Sequence, residues 1–375
     1  MIVPFLDLKK QTSSIRYEID MAVKRVIDSA SFIQGKEVVE LEDKFSKLVG
    51  VPYTVSVGNG TDALFIALKS LGIGQGDEVI TAANSFIATS EAITATGAKV
   101  VFADVCPDSY NINPDDVERK ISNKTKVLVP VHLYGQMAEM DRVLKIAEDN
   151  KLFVVEDAAQ AHLSRYKGRN GAWKNAGSFG NMAIFSFYPG KNLGAFGDAG
   201  AIVTDDIELA NKAKMFANHG RLSKFKHEFE GFNSRMDSIQ AAVLNVKINY
   251  LSQWNEERKQ VALKYFDCLK NVVEIKLPKV NENCDPVWHL FVIQAEKRNE
   301  LQSFLKNSGI STGIHYPVAL PNLPAYKYLK HKPGDFPVAS LLATQILSLP
   351  LFPEMTNQQI EYVCSNIKKF YTEVV

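Results

Sequence analysis

Residues 126–157 read KVLVPVHLYGQMAEMDRVLKIAEDNKLFVVED. Two short apolar runs, 126–133 and 152–157, flank a segment with helical periodicity at 138–150. Runs that are apolar throughout suit strands buried on both faces. A helix between two such strands makes a βαβ unit, with its strands parallel. The same alternation extends back along the chain. A strand is expected at 53–57 and a helix at 61–71, with Ala63, Leu64, Ala67, Leu68 and Leu71 on one stripe. A strand at 78–81, a helix at 85–96 and a strand at 99–105 follow. The fold class is therefore α/β, a mostly parallel central sheet with helices on both faces.

After Asn233 the pattern changes. Residues 234–271 hold almost no breakers and read as one long or kinked helical stretch. Beyond it come a strand at 287–294, a helix at 298–309, a proline-rich loop around 317–324 and a last helix near 356–370. This predicts a large α/β domain over 1–240 and a smaller C-terminal α+β domain over 241–375.

Bulk properties exclude several classes. The chain has 375 residues, a net charge of +1, 46% hydrophobic and 23% charged residues. Such a balance gives no general attraction to nucleic acid or to an acidic membrane. No apolar run approaches the length of a membrane span, and MIVPFLDLKKQ lacks the core of a signal peptide. Cys106, Cys268, Cys284 and Cys364 form no CxxC pair, and the histidines show no metal-binding spacing. The cytoplasm is the expected location.

Three stretches carry chemistry. GNGTDA (58–63) follows a strand and opens a helix, where free N–H groups and the helix dipole suit a phosphate. The plainer alternative is a glycine turn with Thr61 as helix cap. VVEDAAQAH (154–162) ends an apolar strand in Glu156 and Asp157, at the edge where open α/β sheets bind ligands. Its alternative is Asp157 capping the next turn; Gln160 and His162 are close enough in sequence to share the site. FSFYPGKNLGAFGDAGA (185–201) holds a single lysine, Lys191, among aromatics and glycines. That lysine is either solvated on a surface loop or an amine in a dry site, its pKa lowered by desolvation and its nitrogen nucleophilic. Ser186 adds a hydroxyl, and Phe86 follows a strand end where it can cover a flat ring. A phosphate cradle, a buried acid and a lone lysine are what pyridoxal phosphate requires: an amine for its aldehyde, an anion site, and a carboxylate that keeps the ring nitrogen protonated. A nucleotide-binding dehydrogenase has no need of Lys191.

The chain resembles the sugar-nucleotide aminotransferases of the DegT/StrS family, which have the type I fold of pyridoxal phosphate enzymes. The matching motifs are FLDL (5–8), GNGTDAL (58–64), VHLYGQ (131–136), EDAAQAH (156–162), FSFYPGKNLGAFGDAGAIVT (185–204), NHGR (218–221), GFNSRMDSIQAAVL (231–244) and GIHYPV (313–318). The resemblance implies that Lys191 is the Schiff-base lysine and the general base and acid of the proton shift. It implies that Asp157 pairs with the pyridine nitrogen, Gln160 approaches the ring hydroxyl and Phe86 stacks on the ring. Gly60, Thr61 and Ser186 would hold the phosphate, and His162 joins the catalytic group. Asn233 would reach the phosphate of the neighbouring subunit, making a homodimer with shared active sites; its alternative is a helix N-cap. Arg221, Lys224 and His227 resemble the loop that meets the nucleotide diphosphate, or form a solvated basic loop. His315 and Tyr316 would line the sugar site. Departures at LSRYKGR (163–169), Pro321 and DSASFI (28–33) bear on sugar recognition rather than on the cofactor.

The implied reaction takes an amine from glutamate and gives it to a keto-sugar linked to a nucleoside diphosphate. YPGKNLGAFGDAGA resembles the members that act on a dTDP-3-keto-6-deoxyhexose, yielding a dTDP-3-amino-3,6-dideoxyhexose for O-antigen, S-layer or antibiotic. Amination at C-4 or of another keto-sugar or cyclitol is the alternative. A pyridoxamine-dependent sugar dehydratase, in which histidine replaces the lysine, and a colourless non-enzymatic sensor are further ones.

Overall fold

The computed structural model describes residues 1–374. Three helices open the chain: α1 (Leu8–Ser14), α2 (Arg16–Ser29) and α3 (Lys36–Val49). Strand and helix then alternate through β1 (Tyr53–Val57), α4 (Gly60–Ser70), β2 (Glu78–Ala82), α5 (Ile87–Ala95), β3 (Lys99–Ala103), α6 (Pro114–Lys120), β4 (Thr125–Val129), α7 (Met140–Asn150) and β5 (Phe153–Asp157). A hairpin, β6 (Arg165–Lys167) and β7 (Trp173–Asn175), leads to β8 (Met182–Ser186), β9 (Gly200–Thr204) and α8 (Ile207–Ala217). A second hairpin, β10 (Arg221–Ser223) and β11 (Lys226–His227), precedes α9 (Ser238–Lys247) and α10 (Leu251–Leu269). The remainder is β12 (Ile275–Lys276), β13 (Cys284–Asp285), β14 (Phe291–Ala295), α11 (Arg298–Asn307), α12 (Pro337–Gln345), β15 (Ile346–Leu349) and α13 (Asn357–Lys369).

The seven-stranded sheet has the order β1-β9-β8-β5-β4-β2-β3. Only β9 runs against its neighbours, β1 and β8; the other pairings are parallel. The stretch 126–157 folds as its pattern requires. Val127 pairs with Phe153 and Leu128 with Val154, and α7 buries Met140, Val143, Ile146 and Ala147 at helical spacing. The apolar strands are buried over nearly their whole length.

A second apolar cluster surrounds the antiparallel sheet β12-β14-β15, packed by α10, α11 and α13. Val3 joins it through a bridge to Ile310, so the first residues of the chain pack beside its last third. Among the described residues no helix is long and apolar enough to cross a membrane.

Two elements differ from the sequence pattern. The helical stretch 234–271 is two helices, interrupted between Lys247 and Leu251. No glycine or proline marks the break. There the backbone tightens: Asn249, Tyr250 and Leu251 N–H bond to the carbonyls three residues before them, on Val246, Lys247 and Ile248, while α9 packs on α2 and α3 and Lys247 at its end donates to Gly194 O at 2.6 Å. The strand expected from 287 begins only at Phe291. Before it, Val287 N–H and Leu290 N–H bond to Gly135 O and Tyr134 O, which draws this segment toward the loop after β4.

Candidate active site

The carboxyl ends of β5 and β8, the amino end of α4 and the loop between β8 and β9 enclose a cleft of about 810 Å³. That is the edge where an open α/β sheet binds ligands. Asp157 is the last residue of β5 and faces the cleft. Its Oδ2 accepts from Thr89 Oγ1 at 2.8 Å and its Oδ1 from Ala159 N–H at 3.2 Å. Thr89 has one proton and gives it to Asp157, so Ser85 Oγ, 2.9 Å away, is the donor to Thr89. Burial pushes the Asp157 carboxyl up, against the Thr89 and Ala159 hydrogen bonds and the Lys191 charge. Glu156 points to the opposite face, as strand alternation demands. It pairs with His132 Nε2 at 2.8 Å and accepts from the N–H groups of Gly177, Phe179 and Gly180. Burial raises its pKa, but these partners outweigh burial and hold it below the ordinary carboxylate value.

Lys191 also lines the cleft, on the β8–β9 loop. Its N–H is tied to Tyr188 O at 2.8 Å. The surrounding protein pushes its pKa down to about 8, with Asp157 opposing the shift. The solvated-loop alternative does not describe this lysine. It is a part-exposed amine whose pKa is lowered toward neutrality, in the same cleft as a fixed carboxylate.

The α4 amino end is the candidate anion site. Asn59, not Thr61, is the N-cap: its Oδ1 accepts from Asp62 N–H at 2.8 Å. Ala63 N–H returns to Asn59 O, which leaves the N–H groups of Gly60 and Thr61 to the cleft. Ser186 is the last residue of β8 and presses on Gly60; a Cβ built on Gly60 would stand 2.7 Å from Ser186 Cβ. Asp62 is turned aside by Ser234 Oγ, which donates to it at 2.6 Å.

The cleft wall brings in further expected residues. Phe86 opens α5 and lies 5.8 Å, centroid to centroid, from the Tyr316 ring. Gln160 Oε1 accepts from Tyr134 N–H at 2.7 Å, which turns Nε2 toward Tyr316 Oη at 3.4 Å. His315 pairs through Nδ1 with Ser348 Oγ at 2.8 Å. Burial, then Lys191, drives its pKa down to about 4, so the ring is neutral near pH 7.

Other expected residues lie elsewhere. His162 does not line the cleft. It is 1% exposed and packs against Phe185 and Phe187, at 5.3 and 5.7 Å. Those two side chains alternate with Ser186 and so face away from the cleft. Burial drives the His162 pKa down to about 3, and a neutral, enclosed imidazole has no reach to reacting atoms. Arg221, Lys224 and His227 sit on the β10–β11 hairpin, outside the cleft of their own chain. Asn233 is exposed and bridges to Asn218 rather than lining the cleft; the N-cap of α9 is Asp237. Thr89, Tyr188, Arg258 and His289 also line the cleft, and none of them was expected there. Tyr188 stood inside a quoted motif, whereas the others have no local signal and are assembled by the fold.

Pyridoxal phosphate fits the donor set. Gly60, Thr61 and Ser186 offer the unpaired N–H groups and hydroxyl for a phosphate, Gln160 Nε2 faces the cleft as a donor, and Asp157 is fixed on the same cleft as the Lys191 amine. This sheet order with this lysine–carboxylate pair defines a pyridoxal phosphate enzyme of the type I fold. The DegT/DnrJ/EryC1/StrS aminotransferase family model matches residues 13–368, and the chain belongs to that family. The "Pleiotropic regulatory protein" of Geobacillus stearothermophilus is 43% identical over 373 residues, 99% of each chain. The dTDP-3-amino-3,4,6-trideoxy-alpha-D-glucose transaminase of Streptomyces venezuelae is 43% identical over 372 residues, 99% of this chain and 97% of that one. The solved structure of S. venezuelae DesV superposes with a TM-score of 0.96 at 42% identity, covering all of both chains.

Proposed function

We propose that this aminotransferase moves an amino group from glutamate to a dTDP-linked 3-keto-6-deoxyhexose. The observation that carries the reading is the Lys191 amine, with its pKa brought down to about 8, in one cleft with Asp157 and the amino end of α4. The cofactor, when bound, supplies the electron sink that lets a proton leave the carbon bearing nitrogen. The protein does the rest. Asp157, held by Thr89 and Ala159, would keep a proton on the ring nitrogen, and the buried setting would strengthen that pairing. Lys191 Nζ takes the proton and returns it, a task suited to an amine with a pKa near working pH. Gly60, Thr61 and Ser186 would hold the phosphate, and Phe86 would cover the ring.

Two features support the 3-keto sugar: the form of residues 188–201, and the 3-amino product in the name of the S. venezuelae relative. His315 and Tyr316 stand where a sugar would meet Lys191. The hairpin carrying Arg221, Lys224 and His227 supplies the charge for a diphosphate in the neighbouring subunit of a homodimer. The purified enzyme, charged with pyridoxal phosphate, is incubated with glutamate and a panel of keto-sugar nucleotides, and products are identified by mass spectrometry and NMR. Amination at C-3 of a dTDP sugar is the expected outcome. Turnover confined to 4-keto sugars or to UDP sugars would redirect the reading.

A further inference from the structure

Arg258, on α10, is a cation in the cleft wall for which the reading above has no role. Its side chain is 2% exposed, and it lines the cleft beside His289, Leu290 and Leu351. One terminal nitrogen, Nη1, donates to Leu351 O at 3.1 Å and Trp288 O at 3.5 Å. Nε has no partner, and no hydrogen bond among the described residues uses Nη2. The nearest acid, Glu354, acts on it only through its field; its carboxylate oxygens make no hydrogen bond. Burial brings the guanidinium pKa down to about 10, so it stays charged near pH 7. A buried charge without a paired anion is costly. A guanidinium with spare donors on a cleft wall matches the fork of a carboxylate or phosphate.

Position decides which anion. Asn192, the residue after Lys191, donates to Asn255 Oδ1 on α10, one turn before Arg258, at 2.8 Å, and Arg258 lines the same cleft as Lys191, so the guanidinium belongs near the reacting amine. His289 lies in the field of both charges. Burial and those charges keep His289 neutral, and its Nδ1 pairs with Asn192 Oδ1 at 3.2 Å. The diphosphate of a nucleotide sugar is separated from the reacting carbonyl by the sugar ring. The α-carboxylate of an amino acid is one carbon from the amine it gives up, and so must fall beside Lys191.

We propose that Arg258 binds the α-carboxylate of the amino donor and restricts the donor to α-amino acids. This rests on the reading of the cleft as an aminotransferase site. The test measures glutarate binding to the cofactor-loaded enzyme by calorimetry, in wild type, Arg258→Lys and Arg258→Gln. A hydrogen-bonded charge pair of about 1.5–3 kcal/mol predicts roughly 10- to 100-fold weaker binding in Arg258→Gln, with Arg258→Lys in between. KM for glutamate should rise in the same order, while KM for the nucleotide sugar stays within about twofold. Unchanged glutarate affinity in folded variants overturns the proposal. So does an equal loss toward glutarate and nucleotide sugar, which marks Arg258 as a strut for the Leu351 and Trp288 carbonyls. If neither variant folds, wild type must still prefer glutarate to the neutral glutaramide by about tenfold; no preference overturns the proposal. Failure of the parent reading looks different: wild type then transfers no amine from any amino acid to a keto sugar, whatever its affinity for glutarate.

Discussion

Lys191 and Asp157 set each other's state. Burial lowers the lysine and raises the acid, and each charge partly restores the other. The amine reacts only when unprotonated. Capture of pyridoxal phosphate by the cofactor-free chain should therefore quicken about tenfold per pH unit below about 8 and level off above it, whereas an unshifted lysine would keep gaining to about 10.5. Stopped-flow absorbance reads this directly; a rate still climbing at pH 9.5 would place Lys191 in water. Lys191→Ala should abolish transamination yet retain cofactor noncovalently, and borohydride reduction of wild type should label Lys191 and no other lysine. Asp157→Asn should keep the melting temperature within a few degrees and cost about 10²–10³-fold in kcat, since asparagine bonds but does not hold the ring proton. These two residues were legible because their types are rare in their settings: one lysine among glycines and aromatics, and two acids ending an apolar strand, of which strand alternation turns only one to the cleft. Thr89 and Arg258 were not, because a threonine or an arginine on a helix has many ordinary reasons to be there.

The site is built where elements end, so its tolerances are those of packing. Gly60 opens α4 against the end of β8, and Gly200 opens β9 so near Asn59 that a Cβ would fall 2.5 Å from Asn59 C. A methyl group on Gly60 forces α4 off Ser186. Gly60→Ala is expected to cost about 1–3 kcal/mol of stability through overpacking and to weaken cofactor binding, both measurable by thermal melts with and without pyridoxal phosphate. Gly74→Ala is the control. Its Cβ would meet only Thr96 O, at 3.7 Å, and its melt should match wild type. If Gly60→Ala binds cofactor as wild type does, the α4 end is not the phosphate cradle. At this scale the sequence was informative wherever periodicity and strand composition decide: α7 and β5 fell within two residues of where 126–157 placed them, whereas β4 ends at Val129, before Pro130, and not at 133. The sequence allowed a kink in 234–271 without placing it between α9 and α10, where no glycine or proline marks it, and it was silent on Asn59 as the cap, which depends on which of two polar neighbours has extended backbone.

Across the whole molecule, the cleft of one chain is incomplete for the chemistry proposed. The basic hairpin and Asn233 lie outside it, and two large aromatic side chains of its lining stand exposed, Phe86 at 54% and Tyr188 at 59%. In the proposed homodimer a second copy would cover these side chains and supply the missing groups. If Asn233 serves the neighbour's phosphate, Lys191→Ala and Asn233→Ala chains are damaged in different sites of a mixed dimer. One site then carries both defects and the other carries neither. Mild dissociation and reassociation of the two weak variants should restore up to half the wild-type activity in each mixed dimer. Subunit exchange is verified by native mass spectrometry of chains with distinct masses. Were Asn233 to act within its own chain, every site in the mixture would stay defective. Exchange without recovery would then reject the shared site.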